Sequence, residues 1–147
     1  MYLGIRIDYE KLKEKLCGGK KILGSILYAG VSAKPYPKKR KFLKYVEKAG
    51  FVIQSLPFDP ASNKQKGVDV FMYKDIVELA LEDAFDKAIL VSGDRDFVEI
   101  IRKLKELKKQ IEIWSFKKSI AKILIEEAGK ENIYYLDDIL NDIVIKE

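Results

Sequence analysis

The apolar run Ile89-Leu90-Val91 stops at Ser92-Gly93, and apolar residues resume at helical spacing with Phe97, Ile100, Ile101, Leu104 and Leu107. This stretch constrains the fold more than any other. A short, continuous apolar run bounded by a turn suits a strand buried on both faces. A strand feeding a helix has a crossover, and crossovers join parallel strands. Asp94 and Asp96 stand in the turn, where the carboxyl edge of such a sheet opens to solvent. Open α/β sheets place their ligands outside that edge. Two carboxylates packed there repel each other, so a divalent cation is a natural occupant.

The rest of the chain repeats the strand–helix alternation. Strands are predicted over Leu3–Ile7, Ile22–Tyr28, Phe51–Leu56, Lys87–Val91, Ile111–Trp114 and Ile133–Leu136. Helices are predicted over Tyr9–Leu16, ended by Gly18-Gly19, over Lys38–Ala49, ended by Gly50, and over Val68–Asp83. Another starts near Phe97, and Ser119 is a plausible N-cap for Ile120–Ala128. The tail after Asp137 suits a terminal helix. This alternation means βαβ units and a mostly parallel sheet covered on both faces. The segment around Asp59–Gly67 reads as a long polar loop. With 147 residues and no internal repeat or linker, one domain spanning 1–147 is expected.

Composition narrows the chemistry. There is no histidine, which removes Ser–His triads, histidine general bases and histidine-ligated zinc together. The lone Cys17 cannot form an internal disulfide, and a cytoplasmic protein is expected. No apolar stretch approaches the ~20 residues of a membrane span, so no membrane partner is expected. The net charge of +5 fits a polyanionic partner better than an acidic one.

Asp8 ends the first predicted strand as Asp94 and Asp96 follow the fourth. Parallel strand ends share one edge, so Asp8 and Asp94 can converge. Asp69 lies near the start of the third helix, and Asp75 follows six residues later, about 120° around the helix. A carboxylate set without histidine or cysteine is a hard-ligand site, suited to Mg2+ or Mn2+. Such an ion supports phosphodiester hydrolysis. The simpler reading stands beside it: Asp after Gly before a helix is often an N-cap, and a strand-ending Asp is often a turn former.

Three segments resemble the NYN domain of the LabA/DUF88 type, a branch of the PIN-like nucleases. They are Ile5-Arg-Ile-Asp-Tyr-Glu-Lys-Leu, Lys66-Gly-Val-Asp-Val-Phe-Met-Tyr-Lys-Asp and Ala88-Ile-Leu-Val-Ser-Gly-Asp-Arg-Asp-Phe. Their order and approximate spacing match across most of the chain. The resemblance implies a three-layer α/β/α sandwich with an acidic metal-binding pocket and Mg2+- or Mn2+-dependent ribonuclease activity. It implies Asp8, Asp69, Asp94 and Asp96 as the catalytic and metal-holding set, and Asp75 as a further acid.

The first motif departs from the family's usual Asp-Gly-x-Asn. Tyr9 replaces the glycine and Lys11 the asparagine. The Lys11 ammonium can stand in for a cation or bind a phosphate. Lys34, Lys38, Lys39, Arg40 and Lys41 cluster around Tyr36, Lys64 and Lys66 precede Asp69, and Arg95 sits between the two turn acids. Of these, Lys11, Lys38, Arg40, Lys64, Lys66 and Arg95 are the candidates for holding single-stranded RNA. Lysine-rich faces are, however, often only solvated. A catalytically inactive RNA- or protein-binding module on the same fold remains the alternative, and a metal-dependent phosphatase a weaker third. A homodimer is an assembly open to test.

Overall fold

The computed structural model describes residues 6–20, 22, 24–31, 37–57 and 68–145. The first described helix, α1 (Tyr9–Cys17), starts at Asp8 and ends at Gly18, whose left-handed φ of 53° suits a residue without Cβ. Strand β1 (Ile26–Val31) pairs in parallel with β2 (Val52–Pro57), and α2 (Pro37–Lys48) connects them. Helix α3 (Val68–Leu81) leads to β3 (Lys87–Val91). A 3-10 turn over Arg95–Phe97 runs into α4 (Val98–Glu106), which returns the chain to β4 (Gln110–Ser115). Helix α5 (Lys122–Ala128), β5 (Ile133–Tyr135), a 3-10 turn over Leu136–Ile139 and the short α6 (Leu140–Ile143) follow.

The described strands form two parallel sheets, β1-β2 and β3-β4-β5. Alternation along the second sheet sorts its residues into two cores. Ala88, Leu90, Ile111 and Ile113 face one way and pack with Ile100, Ile101 and Leu104 of α4, Leu124 of α5 and Ala80 of α3. Ile89 and Trp114 belong to the other core, with Leu12 of α1, Leu136 and Ile143. Helices therefore cover both faces, which gives the expected α/β/α layering.

Several boundaries differ from the sequence reading. The first strand, expected over Leu3–Ile7, lies mostly outside the described residues, and Ile7 makes an isolated antiparallel bridge to Val144. The second strand, expected over Ile22–Tyr28, runs over Ile26–Val31 instead, because its partner β2 starts at Val52, which pairs with Ile26. Ser119 does not cap α5. The cap position falls on Ala121, without a side-chain bond. The Ala121 N–H donates to the Gly93 carbonyl at 2.8 Å, so packing on the β3 turn sets this entry. The loop expected around Asp59–Gly67 lies outside the described residues. Among the described residues no helix is long and apolar enough to cross a membrane.

Candidate functional site

The β3 turn holds its shape through short local bonds. The Asp94 N–H donates to Ser92 Oγ at 3.2 Å. The Asp96 N–H donates to Asp94 Oδ1 at 2.9 Å, so the Asp94 carboxylate caps the following turn. Asp94, Arg95 and Asp96 are all exposed. Gly93 is fixed by contact: a Cβ there would lie 2.5 Å from both Ser115 Oγ and the Ser119 carbonyl, and 2.8 Å from Ile120 Cα. The turn is thus pressed against the carboxyl end of β4 and the segment before α5. It presents two carboxylates one residue apart, with an arginine between them.

Asp8 is the cap of α1. Its carboxylate accepts from the Lys11 N–H at 3.1 Å, and its own N–H donates to the Ile143 carbonyl at 2.7 Å. Ile7 and Tyr9, on either side of it, pack in the core that contains Trp114 and Phe116 at the carboxyl end of β4. The capping role weighed from sequence for Asp94 is therefore present, and Asp8, read from sequence as a turn former, is a helix cap as well. An N-cap bond engages one carboxylate oxygen and is compatible with a second role.

Asp69 lies in the first turn of α3, and its side chain is outside the described set, as are Lys34, Tyr36, Lys64 and Lys66. Asp75 is half-buried and accepts from the Tyr28 hydroxyl at 2.7 Å, which ties α3 to β1 across 47 positions of sequence. Burial, and then the Asp75 carboxylate, push the Tyr28 phenol well above its ordinary 10.0. No sequence signal connects this pair, because it depends on how α3 lies over β1.

Tyr9, at the position where the resemblance expects glycine, is the hub of an aromatic cluster. It meets Phe42, Tyr45 and Phe51 edge to face, with centroids 5.6, 6.3 and 6.0 Å away. Burial, and then Tyr45, raise its phenol pKa. Lys11 and Glu10 beside it are exposed. On α2, Lys38, Arg40 and Lys41 are exposed. Lys41, Lys44 and Lys48 line a cleft of about 380 Å3 with Glu10, Tyr45 and Ala49.

Sequence reading missed two further acids at the carboxyl edge. Asp137 accepts from the Lys117 N–H at 2.9 Å, and Asp138 pairs with Lys117 Nζ at 3.6 Å. Their signal was present, since they lie in the turn that follows β5. It also missed Glu112, whose alternation with Ile111 and Ile113 suggests a solvent-facing position. Glu112 is buried, accepts from Trp114 Nε1 at 2.9 Å and pairs with Lys87. The larger cleft, about 490 Å3, lies beside Lys87 and Glu112 near the amino ends of the strands, away from Asp94.

The acids singled out here offer oxygen ligands alone, which suits a hard divalent cation. Among the described residues no three acidic or cysteine side chains come together closely enough to hold one, and Asp69 is outside the described side chains. The fit therefore rests on donor chemistry.

The described residues form a parallel α/β/α domain of the open-sheet class, with Asp94 and Asp96 exposed just after β3. The chain belongs to the NYN domain family, a PIN-like nuclease family, whose model matches residues 1–136. The fold is also similar to the crystal structure of a protein of unknown function from Vibrio parahaemolyticus, with a TM-score of 0.74 and 24% identity, covering 97% of this chain and 85% of that one. No curated protein matches the chain at a significant level.

Proposed function

We propose that this protein is a Mg2+- or Mn2+-dependent ribonuclease acting on single-stranded RNA, with Asp8, Asp69, Asp94 and Asp96 holding the ion. The observation that supports this most is the β3 turn, which exposes Asp94 and Asp96 on a backbone fixed by Gly93 in a chain of a nuclease family. A bound divalent ion would polarise a phosphoryl oxygen and lower the pKa of its water. The protein's own residues position the substrate. Lys38, Arg40 and Lys41 on α2 offer phosphate contacts, and Lys64 and Lys66, which precede Asp69 in the sequence, are further candidates. Arg95 stands beside the acids and would neutralise charge at the scissile phosphate. Asp75, steadied by Tyr28, orients α3 and serves as a further acid of the set.

One observation favours a binding module instead. Tyr9 is locked among Phe42, Tyr45 and Phe51, and Lys11 stands where the family carries an asparagine. In that reading the Lys11 ammonium takes the cation's place.

Cleavage of labelled single-stranded RNA with Mn2+ or Mg2+ separates the two. Metal-dependent cleavage that EDTA abolishes, and that the Asp94→Asn/Asp96→Asn double variant lacks, supports the nuclease. RNA binding that survives EDTA without cleavage, with cleavage gained in Lys11→Asn, supports the module.

A further inference from the structure

Helix α3 carries large apolar residues on two opposed faces. Met72, Tyr73, Ile76 and Ala80 pack on the core of the larger sheet. On the other side Val70 is 64%, Phe71 49% and Leu81 65% exposed, and the exposed Lys74 and Glu78 lie between them. At about 100° per residue these five positions form one stripe along the helix. Large apolar side chains exposed together on one helix face mark a contact surface.

Read along the axis, the stripe runs apolar, positive, negative, apolar. Turned end for end, that order is its own complement. An antiparallel copy placed about a twofold axis at the level of Ile76 sets Phe71 against Leu81 and Lys74 against Glu78. Each contact then occurs twice, as an isologous interface requires. A parallel pairing would set lysine on lysine and glutamate on glutamate. A partner of one charge sign would leave either Lys74 or Glu78 opposed by its like.

We infer that a second copy of this chain covers the α3 stripe in an antiparallel twofold dimer. The stripe from Val70 to Leu81 is about 17 Å long, so the contact is modest and association is reversible and concentration-dependent. The two Asp69 positions fall at opposite ends of the helix pair, about 21 Å apart along its axis. The dimer therefore carries two separate acidic edges.

Sedimentation velocity of the full chain across the micromolar range tests this. The wild type is expected to pass from monomer to dimer as concentration rises. Lys74→Glu brings two like-charge contacts and should weaken association at least about tenfold, as should Glu78→Lys. The Lys74→Glu/Glu78→Lys double variant should recover the dimer. So should a one-to-one mixture of the two single variants, now as a heterodimer. Circular dichroism confirms that each exposed-site variant is folded. A wild type that stays monomeric, a dimer indifferent to either reversal, or a double variant that stays monomeric would each overturn the inference.

Discussion

The sheet β3-β4-β5 and the pair β1-β2 are built by the same strand–helix alternation, yet among the described side chains those of the larger sheet are the more deeply buried. Behind the larger sheet, Ile101, Leu104 and Leu124 are fully enclosed and Ile100 and Ile113 nearly so. In the smaller one Val46 is enclosed, while Val52 remains 56% and Ile26 38% exposed. The turn that carries Asp94 and Asp96 grows from the densely packed half, and the basic helix α2 belongs to the lightly packed half. In the proposed nuclease, rigid support would lie under the acids, where placement to a fraction of an ångström would decide chemistry. The surface that would hold a long polyanion needs charge more than precision.

The strongest test of this contrast compares two truncations. Leu124→Ala should lower unfolding stability by about 2–5 kcal/mol, whereas Val52→Ala should stay within about 0.5 kcal/mol. Urea unfolding measures both, and equal losses would erase the distinction. Next in size are two glycines. Gly93→Ala forces its Cβ against the backbone at Ser119 and Ile120 and should cost about 1–3 kcal/mol, with loss of any Asp94-dependent cleavage. Gly24→Ala, before β1, meets nothing within 4 Å. It should be neutral or stabilising by up to about 1 kcal/mol.

Tyr28→Phe should cost about 0.5–1.5 kcal/mol by removing the bond to Asp75. Because the folded phenol ionises above its ordinary 10.0, its contribution is fully present below pH 10.0 and is lost as pH rises beyond it. Wild-type stability should therefore fall more steeply above that pH than that of Tyr28→Phe, which denaturation at a series of alkaline pH values would show. The smallest effect on stability is expected from Lys41→Ala, at one of the proposed phosphate contacts on α2. Its unfolding midpoint should be unchanged, while RNA affinity falls and its dependence on log salt flattens by about one charge. A shifted midpoint would mean that α2 is structural rather than a binding surface.

These contrasts mark how far the sequence could be read. Strand β3 was legible to the residue, because Ile89-Leu90-Val91 halts at a glycine that contact enforces. The ends of α1 and α2 were legible from Gly18 and Gly50. β1 was not, since Ile22-Leu23 and Ile26-Leu27 are both apolar and the pairing with Val52 decides between them. The capping geometry at Asp94 followed from its place after a glycine and before a helix, whereas the sequence marks Asp8 only as a turn former. The grip of Tyr28 on Asp75 and the burial of Glu112 did not, because both depend on which element lies opposite. The same holds for Tyr9, which as a sequence substitution only subtracts a glycine from a motif.

In the folded chain Tyr9 touches both halves. Its ring meets Phe42 and Tyr45 of α2 and Phe51 just before β2, and it also packs in the core of Trp114 and Leu136. Lys13 of the same helix adds a bond to the Ala49 carbonyl at 3.0 Å. Asp8 is the adjacent residue. On heating, the β1-β2 half, whose described side chains are the more exposed, should loosen first, and it would pull on the residue joined to Asp8 while Asp94 stays seated. Function that needs both acids would then fade at a temperature below that of global melting, and the protein would carry a heat limit set by its weaker half.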